Sequence, residues 1–176
     1  TPRKDEYKVD ILSGVFQGRT TGTPIAMLIW NKDVDSSKYE IIKEVFRPGH
    51  AGYTYTKKYG IYDYRGGGRS SARETANWVS AGAIAKKILS KEGITITAYV
   101  KELGGIVAKK IELDVIKKNP VNCPDIEVAK KMELAILSAK KQGDSLGGII
   151  EVIAKNVPVG LGDPVFRKLD AELALA

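Results

Sequence analysis

The sequence predicts an α+β protein built as a layered sandwich, and three observations carry that expectation. First, Ala72 to Leu89 contains no proline and carries two apolar stripes, Ala72, Ala76, Val79 and Ala83 on one and Trp78, Ala81, Ala85 and Ile88 on the other. Two stripes on one helix call for cover on more than one side, which places this helix between layers. Second, Ile94, Ile96, Ala98 and Val100 alternate with Thr95, Thr97, Tyr99 and Lys101, the period of a half-buried strand. Third, helical and strand-like segments follow one another without an internal repeat, as layered α+β chains do. The 176 residues are expected to form a single domain.

Each element has its own local reason. Thr1 to Tyr7 shows no periodicity and reads as an arm. Val9 and Ile11 flank polar Asp10 in a short strand closed by Gly14. Thr20 to Pro24 is a turn, and the apolar run Ile25 to Trp30 reads as a strand buried on both faces. A short helical turn is expected around Ser37 to Val45. Residues 47 to 71, with six glycines and five tyrosines, read as loop. The central helix follows, with Gly93 as its stop signal. Beyond the strand at 94–101, Gly104-Gly105 interrupts, and residues 106 to 121 fit no single pattern. Asp125 is positioned as the N-cap of a second helix whose face is Val128, Met132, Ala135, Ile136 and Ala139, ended by Gly143. Ile149 to Ala154 reads as a strand, Pro158 to Pro164 as a loop, and Val165 to Leu175 as a final short helix.

Composition excludes several classes of function. One cysteine, Cys123, cannot form an internal disulfide, and one cysteine with one histidine gives no zinc-ligand set, so no metal is expected. The longest apolar run is the six residues Ile25 to Trp30, far short of the roughly 20 a membrane helix needs. No charged-then-apolar leader opens the chain, and a soluble cytoplasmic protein is expected. The net charge is +7, and most of it sits in one place. Arg47, Lys57, Lys58, Arg65, Arg69 and Arg73 face a single acid, Asp63, between positions 47 and 73. Such a concentrated positive field recruits an anion, either a phosphorylated small molecule or nucleic acid.

The same stretch carries the chemistry. Gly66, Gly67 and Gly68 lead through Arg69-Ser70-Ser71 into the central helix, and Ser71 with Glu74 has the spacing of a capping box. A helix start presents free N–H groups and partial positive charge, which suits phosphate, although Ser71 and Glu74 can equally be no more than a cap. The spacing matches neither a Walker loop nor a dinucleotide fingerprint. Arg69 and Arg73, four residues apart, lie on one helix face and repel each other slightly, which suggests a bound anion, although solvation alone can also explain them. His50 is the sole imidazole and follows Arg47-Pro48-Gly49. Imidazole is the side chain suited to moving protons near neutrality, though a lone histidine can also be purely structural. Tyr53, Tyr55, Tyr59, Tyr62 and Tyr64 alternate with cations, so a basic module binding single-stranded nucleic acid through segment 47–73 is the competing reading.

These motifs taken together resemble chorismate synthase, in the manner of a central portion of a bacterial-type enzyme. The likeness rests on Arg47-Pro48-Gly49-His50-Ala51, Lys58-Tyr59-Gly60, the run Asp63 to Thr75 and Ala81 to Lys87. It extends through Ile11 to Phe16, Thr20 to Ile25, Cys123-Pro124-Asp125, Gly143-Asp144-Ser145 and Gly160 to Phe166. The resemblance implies helices sandwiched between antiparallel sheets. It implies elimination of phosphate and a ring hydrogen from 5-enolpyruvylshikimate 3-phosphate to give chorismate. Reduced FMN is the implied cofactor, without net redox change, and a homotetramer is the implied assembly, with neither nucleic acid nor membrane as partner. Residue by residue, Arg69, Ser70 and Ser71 match the FMN-binding segment. His50 matches the histidine proposed to protonate reduced flavin, and Arg47 and Arg73 match arginines that contact the anionic substrate. Arginine's planar fork suits phosphate and carboxylate better than lysine's point charge.

Two departures from the family pattern stand out. The family usually continues Gly-His-Ala with Asp, and here Gly52 occupies that place. The family's Gly-Glu-Ser-His-Gly motif, the arginines after it, and a C-terminal portion with further FMN contacts and an acidic residue have no counterpart in these 176 residues. The expectation is therefore a chain that alone is inactive or weakly active, and prone to self-association through apolar surface. With no reductase domain in view, reduced flavin is expected to be borrowed, not made through NADPH.

Overall fold

A computed structural model describes residues 8–32, 35–65 and 70–176. The arm at 1–7, the glycines at 66–68 and Arg69 lie outside the described residues. The chain divides into two compact units, 1–87 and 88–176.

In the first unit β1 (Val9–Ile11) pairs antiparallel with β4 (Met27–Ile29), and β2 (Val15–Phe16) pairs with β3 (Arg19–Thr20) in a small hairpin. Ser13 and Gly14 hold the two together. The Ser13 hydroxyl donates to the Pro24 carbonyl at 3.0 Å and accepts from Ala26 N–H at 3.1 Å. Gly14 has φ +79°, and a Cβ there would lie 2.7 Å from both the Pro24 carbonyl oxygen and Ile25 Cγ1. Only glycine serves at such a point. The expected strand at 25–30 is shorter and half-buried on both faces, because a two-stranded sheet cannot cover both of its sides. Trp30 beyond it is exposed, its indole N–H donating to Asp10 at 3.0 Å.

Ser37–Ile42 forms a 3-10 helix, as the sequence expected of that neighbourhood. The next stretch corrects the expectation of continuous loop: Gly52–Tyr59 is an α-helix, α1. Thr54 and Thr56 are absorbed by bonding their hydroxyls back to the Ala51 and Gly52 carbonyls, both at 2.9 Å. Lys57 and Lys58 lie in its last turn, where cations complement the helix dipole, and Gly60 ends it in the left-handed region.

The central helix begins with a 3-10 turn, Ala72–Glu74, and continues as α2 (Thr75–Lys91). Ser71 caps it, accepting from Arg73 N–H at 3.3 Å, one residue earlier than the predicted partner Glu74. The sequence expects cover on two sides of this helix. Among the described residues none of its side chains is buried, and Trp78, Val79 and Ile88 stand exposed.

The second unit is built on β5 (Thr95–Leu103), the middle strand of an antiparallel sheet with β6 (Ile106–Val107) and β7 (Gly148–Lys155). Gly104 and Gly105, at φ +58° and +79°, form the two-residue turn between β5 and β6, a geometry that asks for positive φ at both positions. The strand read at 94–101 is present, but its alternation of burial is not as read: Ala98 is exposed and Tyr99, placed with the polar set, is the most buried residue. The Tyr99 hydroxyl donates to Glu151 across the β5–β7 pairing, and Lys101 reaches the same carboxylate at 2.6 Å. That hydrogen bond, reinforced by burial, pushes the Tyr99 phenol up to about 12, while Lys101 and Tyr99 together hold Glu151 below the usual carboxylate range.

Against the sheet packs a core of Val121, Cys123, Val128, Ala129 and Met132, with Cys123 and Met132 wholly enclosed. Three come from α3 (Ile126–Lys141), which is capped as read by Asp125 and closed at Gly143. Asp144 N–H bonds the Ala139 carbonyl and Gly143 N–H that of Lys140, the Schellman pattern. The predicted face is narrower than expected: Val128, Met132 and Ala139 are buried, while Ile136 is exposed. Residues 106–121 resolve into β6 and a 3-10 helix at Leu113–Lys118. The final segment holds two strands too short to read from sequence, β8 (Gly162–Asp163) and β9 (Arg167–Lys168), ahead of α4 (Leu169–Leu175). α4 therefore starts four residues later than expected. Every strand pairing among the described residues is antiparallel, as an α+β chain requires.

Candidate active site

Five of the six candidate residues are among those described, and they fall into two groups within the first unit. The first is Arg47 with His50. The turn Arg47-Pro48-Gly49-His50 closes through a bond from His50 N–H to the Arg47 carbonyl at 3.2 Å, with Gly49 at φ +69°. This brings a guanidinium nitrogen of Arg47 to 2.8 Å from His50 Nε2. The other ring nitrogen, Nδ1, accepts the backbone N–H of Gly52 at 3.1 Å. Arg47 is exposed and extends over the Tyr39 ring, 5.7 Å from its centroid.

The structure shows why glycine suits position 52. Gly52 is buried at the start of α1, and a Cβ there would lie 3.0 Å from Tyr62 Cε1 and 3.4 Å from His50 Nδ1. The Tyr62 ring fills the room a side chain would need and meets His50 edge-on, with ring centroids 5.9 Å apart. The imidazole is thus seated by a main-chain donor and an aromatic edge, not by a carboxylate. The pocket beside it, lined by Ile42, Phe46, Arg47, His50, Gly52 and Tyr62 among others, has a volume of about 20 Å³. That is room for about one water.

The second group is Ser70, Ser71 and Arg73 at the head of the central helix. Both serines are half-buried, and the Ser71 hydroxyl, having accepted from Arg73 N–H, still carries a proton to donate. Two hydroxyls ahead of a capped helix start form a donor set suited to a phosphate. The Arg73 guanidinium reaches back to the Trp30 carbonyl at 2.9 Å. Arg69, predicted to join this group, lies outside the described residues.

Among the described residues, the tyrosines of segment 47–73 and the cations Lys57 and Lys58 meet groups of the same chain. Phe46 meets Tyr53 edge-on, Tyr55 meets Tyr59, Lys57 and Lys58 lie over Tyr53 and Tyr59, and Tyr64 donates to Glu40 at 2.8 Å. That bond, helped by Lys43, holds Glu40 below its ordinary range. Tyr53 and Tyr59 stay exposed, and no observation favours the nucleic-acid reading. Among the described residues no cluster of His, Cys, Asp and Glu could hold a metal, and no helix is long and apolar enough to cross a membrane.

Sequence reasoning missed the Gly52 N–H, the Tyr62 ring and the Trp30 carbonyl as parts of these groups.

Comparison with known proteins bears directly on these motifs. The family model for chorismate synthase matches residues 1–176. The chorismate synthase of Methanococcoides burtonii is 56% identical over 180 residues, covering all of this chain and 49% of that protein. The chorismate synthase of Desulfatibacillum aliphaticivorans is 56% identical over 176 residues, with the same coverage. A solved crystal structure of chorismate synthase is similar at TM-score 0.70 and 34% identity, over 88% of this chain and 46% of that one. The chain thus spans about half the length of the curated relatives it matches. With motifs, fold and whole-chain identity in agreement, the chain belongs to the chorismate synthase family.

Proposed function

We propose that these residues serve the chorismate synthase reaction, 1,4-elimination of phosphate from 5-enolpyruvylshikimate 3-phosphate with reduced FMN. The observation that carries this reading is the Arg47–His50 pair, an anion-binding guanidinium 2.8 Å from the chain's one imidazole. In the reaction the C–O bond to phosphate and one ring C–H bond break, a ring double bond forms, and phosphate and a proton leave. Reduced FMN, when bound, supplies the reducing equivalent that eases departure of the phosphate and is regenerated at the end. Arg47 and Arg73 hold the substrate's phosphate and carboxylates, where a guanidinium gives two parallel bonds. Ser70 and Ser71, with Arg69, hold the FMN phosphate at the helix start. His50 holds the proton at a ring nitrogen.

The rest of the reading follows the family: a single domain as part of a homotetramer in the cytoplasm, with FMN reduced elsewhere. By itself the 176-residue chain turns over weakly or not at all. It carries one histidine and half the length of its relatives, and groups that act as a unit lose most of their effect when some are missing.

The test is an anaerobic titration with reduced FMN, with and without 5-enolpyruvylshikimate 3-phosphate, following flavin absorbance and chorismate. Flavin binding that disappears in Arg69→Ala supports the site. Brisk turnover refutes the weak-activity part. Absence of both binding and turnover refutes the assignment of these residues to the flavin.

A further inference from the structure

The two bonds to His50 cannot both be satisfied. A guanidinium offers only donors, and so does a backbone N–H. Both point at the same ring, Arg47 at Nε2 from 2.8 Å and Gly52 at Nδ1 from 3.1 Å. A neutral imidazole has one nitrogen that accepts and one that carries hydrogen. Two obligate donors therefore compete for a single lone pair.

One donor can give way and the other cannot. Gly52 is buried at the first turn of α1, where an N–H has no partner inside the helix, and the Tyr62 ring closes on it. Arg47 is exposed, on a long side chain resting over Tyr39. While Arg47 donates to Nε2, the ring proton is forced onto Nδ1, facing the Gly52 N–H. When Arg47 swings away, Nδ1 accepts from Gly52 and the proton belongs on Nε2.

We infer that Arg47 sets the tautomer of His50: an anion that takes the Arg47 guanidinium converts the ring to the form bearing its proton on Nε2. The change is a relocation through solvent, one proton leaving Nδ1 and one arriving at Nε2, with no change in net charge. It rests on the reading of Arg47 as an anion ligand, and it makes Arg47 a positioning residue as well as a binding one. An N–H able to donate from Nε2 is present only when the anion is, which ties the proton to the arrival of substrate.

The single histidine makes the test direct, because ¹⁵N-histidine labelling yields one imidazole spectrum. Spectra are recorded in mildly alkaline buffer for the parent, the parent with saturating inorganic phosphate, Arg47→Ala and Arg47→Lys. In the parent the Nδ1 resonance lies toward the protonated position and the Nε2 resonance toward the unprotonated one. Phosphate or Arg47→Ala reverses the pair, Nδ1 moving toward the unprotonated position and Nε2 toward the protonated one, and phosphate adds nothing further to Arg47→Ala. Arg47→Lys, which keeps a donor, stays nearer the parent. An Arg47→Ala spectrum that superposes on the parent's overturns the competition. Phosphate that acts no differently from equal ionic strength of chloride overturns the coupling to anions. Failure of flavin binding or turnover leaves these shifts standing, so the two readings fail separately.

Discussion

Asp125 is the residue whose replacement tests the architecture of the second unit most sharply. Its carboxylate accepts four backbone N–H groups, Glu127 and Val128 on Oδ1 and Lys109 and Lys110 on Oδ2, each at 3.2 Å. One oxygen caps α3 and the other ties down the segment after β6. Asp125→Ala removes both. Loss of a cap costs about 1 kcal/mol, and each of the other two bonds about 0.5–1.5 kcal/mol net, for a total of roughly 2–4 kcal/mol. Asp125→Asn keeps Oδ1 as the cap but turns an amide donor toward Lys109 and Lys110, so its cost falls between parent and Ala. Urea unfolding followed by far-ultraviolet circular dichroism gives the order, and amide exchange at 109, 110, 127 and 128 locates the loss. An Ala variant within about 0.5 kcal/mol of the parent refutes the argument, and so does an Asn variant as unstable as Ala. The pH dependence has a fixed sign. Burial pushes the carboxyl up, but the four N–H bonds outweigh it and hold it below 3.8. Its contribution is then complete above that value and lost as pH falls through the lower folded-state value, because the unfolded chain binds the proton first.

Three further outcomes follow from the same structure. Met132→Ala empties the enclosed centre of the core and costs about 2–5 kcal/mol by urea unfolding, whereas truncating exposed Leu134 to Ala costs a small fraction of that. Gly14→Ala puts a methyl group 2.7 Å from the Pro24 carbonyl oxygen at φ +79° and destabilises the first unit by roughly 2–4 kcal/mol, read by the fluorescence of Trp30 and Trp78. The Tyr99 phenol ionises at about 12 against an ordinary 10.0, and Glu151→Gln brings it down in an ultraviolet titration. The neutral phenol is favoured in the fold, so this contribution is intact below pH 10.0 and disappears as pH rises toward 12.

What the sequence discloses and what it withholds divide along physical lines. α3 is legible because its cap, apolar spacing and terminal glycine all act within a few residues. β5 is legible as a strand because nine residues are enough to suggest a period of two, although the face that carries Tyr99 and not the apolar set is the one most buried. α1 is hidden because threonine, tyrosine and glycine are weak helix formers. It is held by hydroxyls bonding back to carbonyls and by Gly60, effects that composition does not display. Strands of two residues, such as β8 and β9, are too short for any period. The stripes on α2 were read as cover on two sides, but a stripe records a demand for burial and not the surface that meets it. In the site, residue type alone singles out Arg47 and His50 as candidates. The seat formed by Gly52 and Tyr62 depends on a backbone N–H and a ring ten positions away, which no local pattern joins.

The enclosure of Cys123 turns the second unit into its own clock. The thiol is wholly buried, burial raises its ionisation above the ordinary range, and it is the only cysteine in the chain. A thiol reagent therefore finds nothing to modify until the packing around Met132 and Val128 parts. The rate of labelling under native conditions measures how often that opening occurs, and its ratio to the rate in denaturant gives the free energy of opening. Because Asn119 clasps Cys123 at both its N–H and its carbonyl, loosening that clasp quickens the clock without touching the thiol itself.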